Sequence, residues 1–81
     1  MTVRFFAQLK DVAGSETLSF DMNLECTLKQ LIAQLEETIP NLKGALSAGN
    51  VQVAINQEFA DLDAAVKPKD EVAFLPPFSG G

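Results

Sequence analysis

One amphipathic helix, with alternating apolar segments on either side, sets the limits on what this chain of 81 residues can fold into. Thr27 and Gln30 form a T-x-x-Q capping box, in which each side chain reaches the other's backbone N–H, and Cys26 and Leu31 are placed to staple it. Leu28, Leu31, Ile32, Leu35 and Ile39 follow at i, i+3, i+4, i+7 and i+11, so they share one face of a 3.6-residue period. Pro40 stops the helix and biases Ile39 toward extended backbone. A helix with one apolar stripe needs one apolar surface to cover, and the rest of the chain supplies strands for it.

Val3, Phe5 and Ala7 alternate with Arg4 and Phe6, and Leu18, Phe20 and Met22 alternate with Thr17, Ser19 and Asp21. Both segments read as half-buried strands. They lie close in sequence and are expected to pair antiparallel. Between them, Leu9 to Ala13 predicts a helical turn ended by Gly14. After the helix, Asn41 to Leu46 predicts another turn, followed by a loop over Ser47-Ala48-Gly49-Asn50. Val51, Val53 and Ile55 then alternate inward. Asn56-Gln57 suits a tight turn, because asparagine tolerates positive φ, and Glu58-Phe59 would return as a short strand. Asp61 to Val66 crosses over, and Lys67-Pro68-Lys69-Asp70 is a turn with proline at its second position. Glu71 to Leu75 closes the sheet. The inward set is then Val3, Phe5, Leu18, Phe20, Val51, Val53, Ile55, Val72 and Phe74.

This order predicts an α+β chain with a mixed sheet and one main helix on one face. It matches the β-grasp, or ubiquitin-like, architecture over residues 1–75. The opposite face would carry Phe6, Ala54, Ala73 and Leu75, with Arg4 and Gln52 nearby. Four apolar residues on a solvent face suit partner docking, although scattered exposed apolar residues are also ordinary.

Past Leu75 the chain changes character. Residues 76–81, Pro76-Pro77-Phe78-Ser79-Gly80-Gly81, are expected to form a flexible, extended tail. The prolines fix φ and donate no hydrogen bond, and the glycines fit a narrow channel that would reject a Cβ. Fully stretched, six residues span roughly 20 Å, enough to carry the Gly81 carboxylate into another protein's pocket. The plainer alternative is a frayed terminus.

Composition narrows the function classes. A hydrophobic fraction of 47% fits a globular chain. A formal net charge of −5 argues against nucleic acid or an anionic membrane as partner. No window reaches the 18 or so apolar residues of a membrane span, and Arg4, Lys10, Asp11 and Glu16 break any signal-peptide core. With one cysteine, no internal disulfide forms, which points to a reducing cytoplasm. Histidine is absent, so neither the usual acid–base group nor a zinc kit is present. Cys26 reads as a small core residue, and Asp61, Asp63, Asp70 and Glu71 read as solvated turn residues without a calcium-loop pattern. No metal or bound cofactor is expected.

The end of the chain, Asp70-Glu71-Val72-Ala73-Phe74-Leu75-Pro76-Pro77-Phe78-Ser79-Gly80-Gly81, resembles that of the small, sulfur-carrying subunits of molybdopterin synthase. Phe5-Phe6-Ala7-Gln8-Leu9 and Val53-Ala54-Ile55-Asn56-Gln57-Glu58 are similar to the same family. Two positions depart from it: Phe78 stands where valine is usual, and Lys69 where glycine is frequent before the Asp-Glu pair. The resemblance implies that an E1-like adenylyltransferase uses ATP to adenylate the Gly81 carboxylate. Sulfur transfer then leaves a thiocarboxylate there. The tail, with Pro76, Pro77, Phe78, Ser79 and Gly80 threaded, enters the large synthase subunit and donates sulfur to a pyranopterin precursor within a heterotetramer. The small subunit would not be catalytic by itself. A carrier for thiamine synthesis or tRNA thiolation, a ubiquitin-like protein modifier, and a binding module with an inert tail are the alternatives.

Overall fold

The computed structural model describes residues 1–21, 24–46 and 51–75. Along the chain run β1 (Thr2–Phe5), α1 (Gln8–Ala13), β2 (Thr17–Ser19), β3 (Cys26–Thr27), α2 (Leu28–Thr38), a 3-10 turn (Pro40–Leu42), β4 (Gln52–Ile55), β5 (Glu58–Phe59), β6 (Ala65–Val66) and β7 (Glu71–Leu75). Five strands form one mixed sheet in the order β2-β1-β7-β4-β5, and β3 pairs with β6 in a separate two-stranded sheet. The expected α+β, β-grasp arrangement is the one observed.

The expected capping box is formed at the start of α2. The Thr27 N–H donates to Gln30 Oε1 at 2.9 Å, and the Gln30 N–H donates to Thr27 Oγ1 at 3.2 Å. The next free donors of that first turn are also satisfied: Leu28 N–H reaches the Ala64 carbonyl at 2.9 Å and Lys29 N–H the Leu62 carbonyl at 3.0 Å. These two bonds tie the crossover after β5 to the helix start. Leu28, Leu31, Ile32 and Leu35 are buried, and each such burial contributes about 1.5–3 kcal/mol. They pack with Val3, Phe5, Val53, Val72 and Phe74 in one core, against which Leu18, Phe20, Val51 and Ile55 lie half-buried. The whole expected inward set therefore faces this core.

Turn chemistry follows the residues. Gly14 ends α1 at φ 78°. Asn56 and Gln57 both have positive φ, 51° and 71°, the signature of a two-residue type I′ hairpin. In the Lys67–Asp70 turn the Asp70 N–H donates to the Lys67 carbonyl at 3.0 Å, and the Asp70 carboxylate accepts from Lys67 N–H at 2.8 Å. The expected turn over Asn41 to Leu46 starts one residue earlier, because Pro40 suits the first position of a 3-10 turn. The second strand is shorter than its alternation suggests: β2 covers three residues, with Phe20 N–H still reaching the Met1 carbonyl at 2.9 Å. Met22, the 47–50 loop and the 76–81 tail lie outside the described residues.

Candidate functional site: the outer face of the sheet and the chain exit

The central strand β7 organises the site. It pairs parallel with β1 and antiparallel with β4. Strand alternation sends Val72 and Phe74 into the core and Glu71, Ala73 and Leu75 to the outer face. The rings of Phe74 and Phe5 stack at a centroid distance of 5.7 Å and fix the inner side of this strand pair. Leu75 is the last described residue, so the chain leaves for Pro76–Gly81 from the end of the middle strand.

Register then builds the outer face row by row. Thr17, Arg4, Ala73, Ala54 and Phe59 lie side by side across all five strands. Gln52 faces Leu75 in the next row. Phe6 follows β1 directly, and its N–H donates to the Phe74 carbonyl at 3.2 Å, which keeps it beside the chain exit. Among the residues expected to dock a partner, Phe6 is 36% exposed, Ala73 and Leu75 are half-buried, and Ala54 is 8% exposed. Ala54 is thus the floor of the face rather than a protruding contact. The geometry brings Ala54, Ala73 and Leu75 together on adjacent strands, with Phe6 at the same end of the sheet.

Phe59, absent from the expected set, is 73% exposed on this face. The signal was present in the sequence. A two-residue turn at Asn56-Gln57 forces Ile55 opposite Glu58 and Ala54 opposite Phe59, and directly opposed residues share a face.

The charged residues here are few and paired. The Arg4 guanidinium sits 5.6 Å from the Phe6 ring centroid and 3.8 Å from the Glu71 carboxylate. Both members of that ion pair are exposed, so it contributes under about 1 kcal/mol. At the start of β7, Asn56 clamps two turns together: its Nδ2 donates to Asp70 at 3.0 Å and its Oδ1 accepts from Glu71 N–H at 3.0 Å. The Lys67 N–H bond, followed by the Asn56 bond, holds the Asp70 carboxyl below its ordinary value. β7 is therefore pinned at its start.

Other chemistry is sparse. Burial pushes the Cys26 thiol up, and Glu25 adds to the shift. The thiolate is the nucleophile, so the raised value makes Cys26 a poorer nucleophile near neutral pH than an ordinary cysteine. Among the described residues no group of three or more His, Cys, Asp or Glu side chains could hold a metal ion, and no helix is long and apolar enough to cross a membrane.

A β-grasp domain with a covered inner face and an open apolar outer face beside its chain exit is a ubiquitin-like protein. Within that class the chain belongs to the ThiS family, whose model matches residues 3–81. The molybdopterin synthase sulfur carrier subunit of Haemophilus influenzae is 35% identical over 81 residues, covering 100% of this chain and 99% of that protein. The crystal structure of SAMP1 from Haloferax volcanii superposes with a TM-score of 0.85 at 33% identity, covering 100% of this chain and 98% of that one. In the complex of subunits 1 and 2 of the molybdopterin-converting factor from Helicobacter pylori, one chain matches with a TM-score of 0.67 at 32% identity, covering 99% of this chain and 96% of that one.

Proposed function

We propose that this chain is a sulfur carrier that serves as the small subunit of a molybdopterin synthase. The observation that carries this reading is a family match running to the last residue, Gly81, in a chain whose tail continues from the end of the central strand. Relatives named as sulfur carrier subunits of molybdopterin synthase, matching over nearly the full length, support it.

In this reading residues 1–75 are a handle and residues 76–81 deliver the reacting atom. A carboxylate is a poor electrophile because its oxygen is a poor leaving group. An activating E1-like partner first joins the Gly81 carboxylate to the AMP portion of ATP and releases pyrophosphate. A sulfur donor then displaces AMP and leaves a thiocarboxylate. The outer face of Phe6, Ala54, Ala73 and Leu75, extended by Phe59, docks the large subunit. Pro76, Pro77, Phe78, Ser79 and Gly80 thread into that subunit's active site, where the thiocarboxylate sulfur attacks the pyranopterin precursor. The sulfur is a covalently held nucleophile, and the acid–base groups belong to the large subunit. The assembly proposed is a heterotetramer with two small subunits, set in the cytoplasm.

The likeness to SAMP1 favours one second reading, a protein modifier joined through Gly81 to lysines of targets. Intact mass separates the two. After incubation with the activating enzyme, ATP and a sulfur source, a carrier gains the mass of one oxygen exchanged for sulfur. An unchanged mass, with isopeptide conjugates formed instead, would favour the modifier.

A further inference from the structure

We propose that the groove beside β5 seats a basic, apolar-tipped segment of the large subunit, as a second anchor next to the docking face. This inference rests on the proposed sulfur-carrier function.

The groove has a volume of about 270 Å³, and its walls include Gln52, Val53, Phe59, Asp61 and Leu62. Two of these are large apolar side chains left open, Phe59 at 73% and Leu62 at 52% exposure. Leu62 does not sit on a loose loop. Its carbonyl accepts from Lys29 N–H at the start of α2, Ala60 N–H donates to Val53, and Ala64 N–H donates to Asp61. The hydrogen-bonded backbone already holds Leu62 in place, so seating it on a partner costs side-chain rotamer freedom and little backbone entropy.

Charge names the occupant's chemistry. Asp61 lines the groove between Phe59 and Leu62, Asp63 follows Leu62 in the sequence, and the groove lining contains no basic residue. No ion pair reaches Asp61 among the described residues. A lysine or arginine following an aliphatic or aromatic side chain would satisfy both parts of the site.

Position names the partner. Phe59 lies on the outer face opposite Ala54 and also lines the groove. Gln52 lines the groove and faces Leu75, from which the tail departs. A protein that covers the outer face and takes the tail therefore meets this groove at its edge.

The test measures binding of the full-length chain to the purified large synthase subunit from the same organism, at low and physiological salt. Leu62→Ser is expected to dissociate roughly fivefold to tenfold faster. Asp61→Lys is expected to associate more slowly than the parent chain, with a flatter salt dependence, because steering charge has been reversed. Thermal melts of both variants confirm folding, and Asp61→Lys decides alone if Leu62→Ser unfolds. Parent-like rates for the folded variants would overturn the inference while leaving the sulfur-carrier reading intact. So would variants that bind the large subunit normally but slow thiocarboxylate formation, which would assign the groove to the activating enzyme. A parent chain that neither binds the large subunit nor acquires sulfur would instead defeat the function on which the inference rests.

Discussion

The two faces of the five-stranded sheet come from the same strands and differ only in residue parity. On β7, Val72 and Phe74 are fully buried, while Ala73 and Leu75, one step away, remain partly open. The inner face meets α2 and is closed by Leu28, Leu31, Ile32 and Leu35. No element of the described chain covers the outer face in the same way, and its large residues, Phe6 and Phe59, stay exposed. The difference teaches that one face holds the fold while the other is free to serve a partner. Substitutions on the two faces should therefore fail in different ways.

The largest effect is expected on the closed face. Phe74→Ala removes a fully buried ring stacked on Phe5 and should cost about 3–5 kcal/mol, read as a lowered urea midpoint. A loss under 1 kcal/mol would break the comparison.

Next comes the polar clamp at the start of β7. Asn56→Ala deletes two hydrogen bonds and leaves a non-glycine residue without a side-chain partner at φ 51°. About 2 kcal/mol of stability should be lost, while partner affinity measured on the folded fraction stays unchanged.

On the open face the pattern should reverse. Phe59→Ala is expected to change stability by less than about 0.5 kcal/mol and to weaken large-subunit binding about tenfold, measured on the same preparation. Equal loss in both assays would mean that the outer face also holds the fold.

The smallest effect concerns pH. The folded Asp70 carboxyl is held below its ordinary value by Lys67 N–H and Asn56. Its stabilisation is therefore present above the unfolded value of about 3.9 and is lost as pH falls through the lower folded value. Urea midpoints of the parent and Asp70→Asn chains should differ at neutral pH and converge in that acid range. A constant gap would show that the charge contributes nothing.

The legible parts of the fold were those with a strong local code. The capping box, the 3.6-residue stripe and Pro40 marked α2, and Gly14 and Asn56-Gln57 marked two turns. The outer face followed from strand alternation, apart from Phe59, which required the hairpin register as well. The β3–β6 pair was not legible. Two residues on each strand show no periodicity, and their pairing is set by the tertiary bonds that bring residues 62–64 to the start of α2. The same holds for the Asn56–Asp70 clamp, whose partners are 14 residues apart. The reading of the tail rests on sequence alone: Pro-Pro and Gly-Gly state their backbone chemistry without reference to packing, and residues 76–81 lie outside the described residues.

The most direct test of the account is molybdopterin formation in a reaction reconstituted from this chain, the activating enzyme, ATP, a sulfur source, the large subunit and the precursor. Deleting Gly81, or adding one residue after it, removes the reacting atom or displaces it by about 3.5 Å. Both variants should fold, bind the large subunit through the outer face and make no molybdopterin. Product formed at the parent rate by either variant would contradict the claim that sulfur is carried at the Gly81 carboxyl.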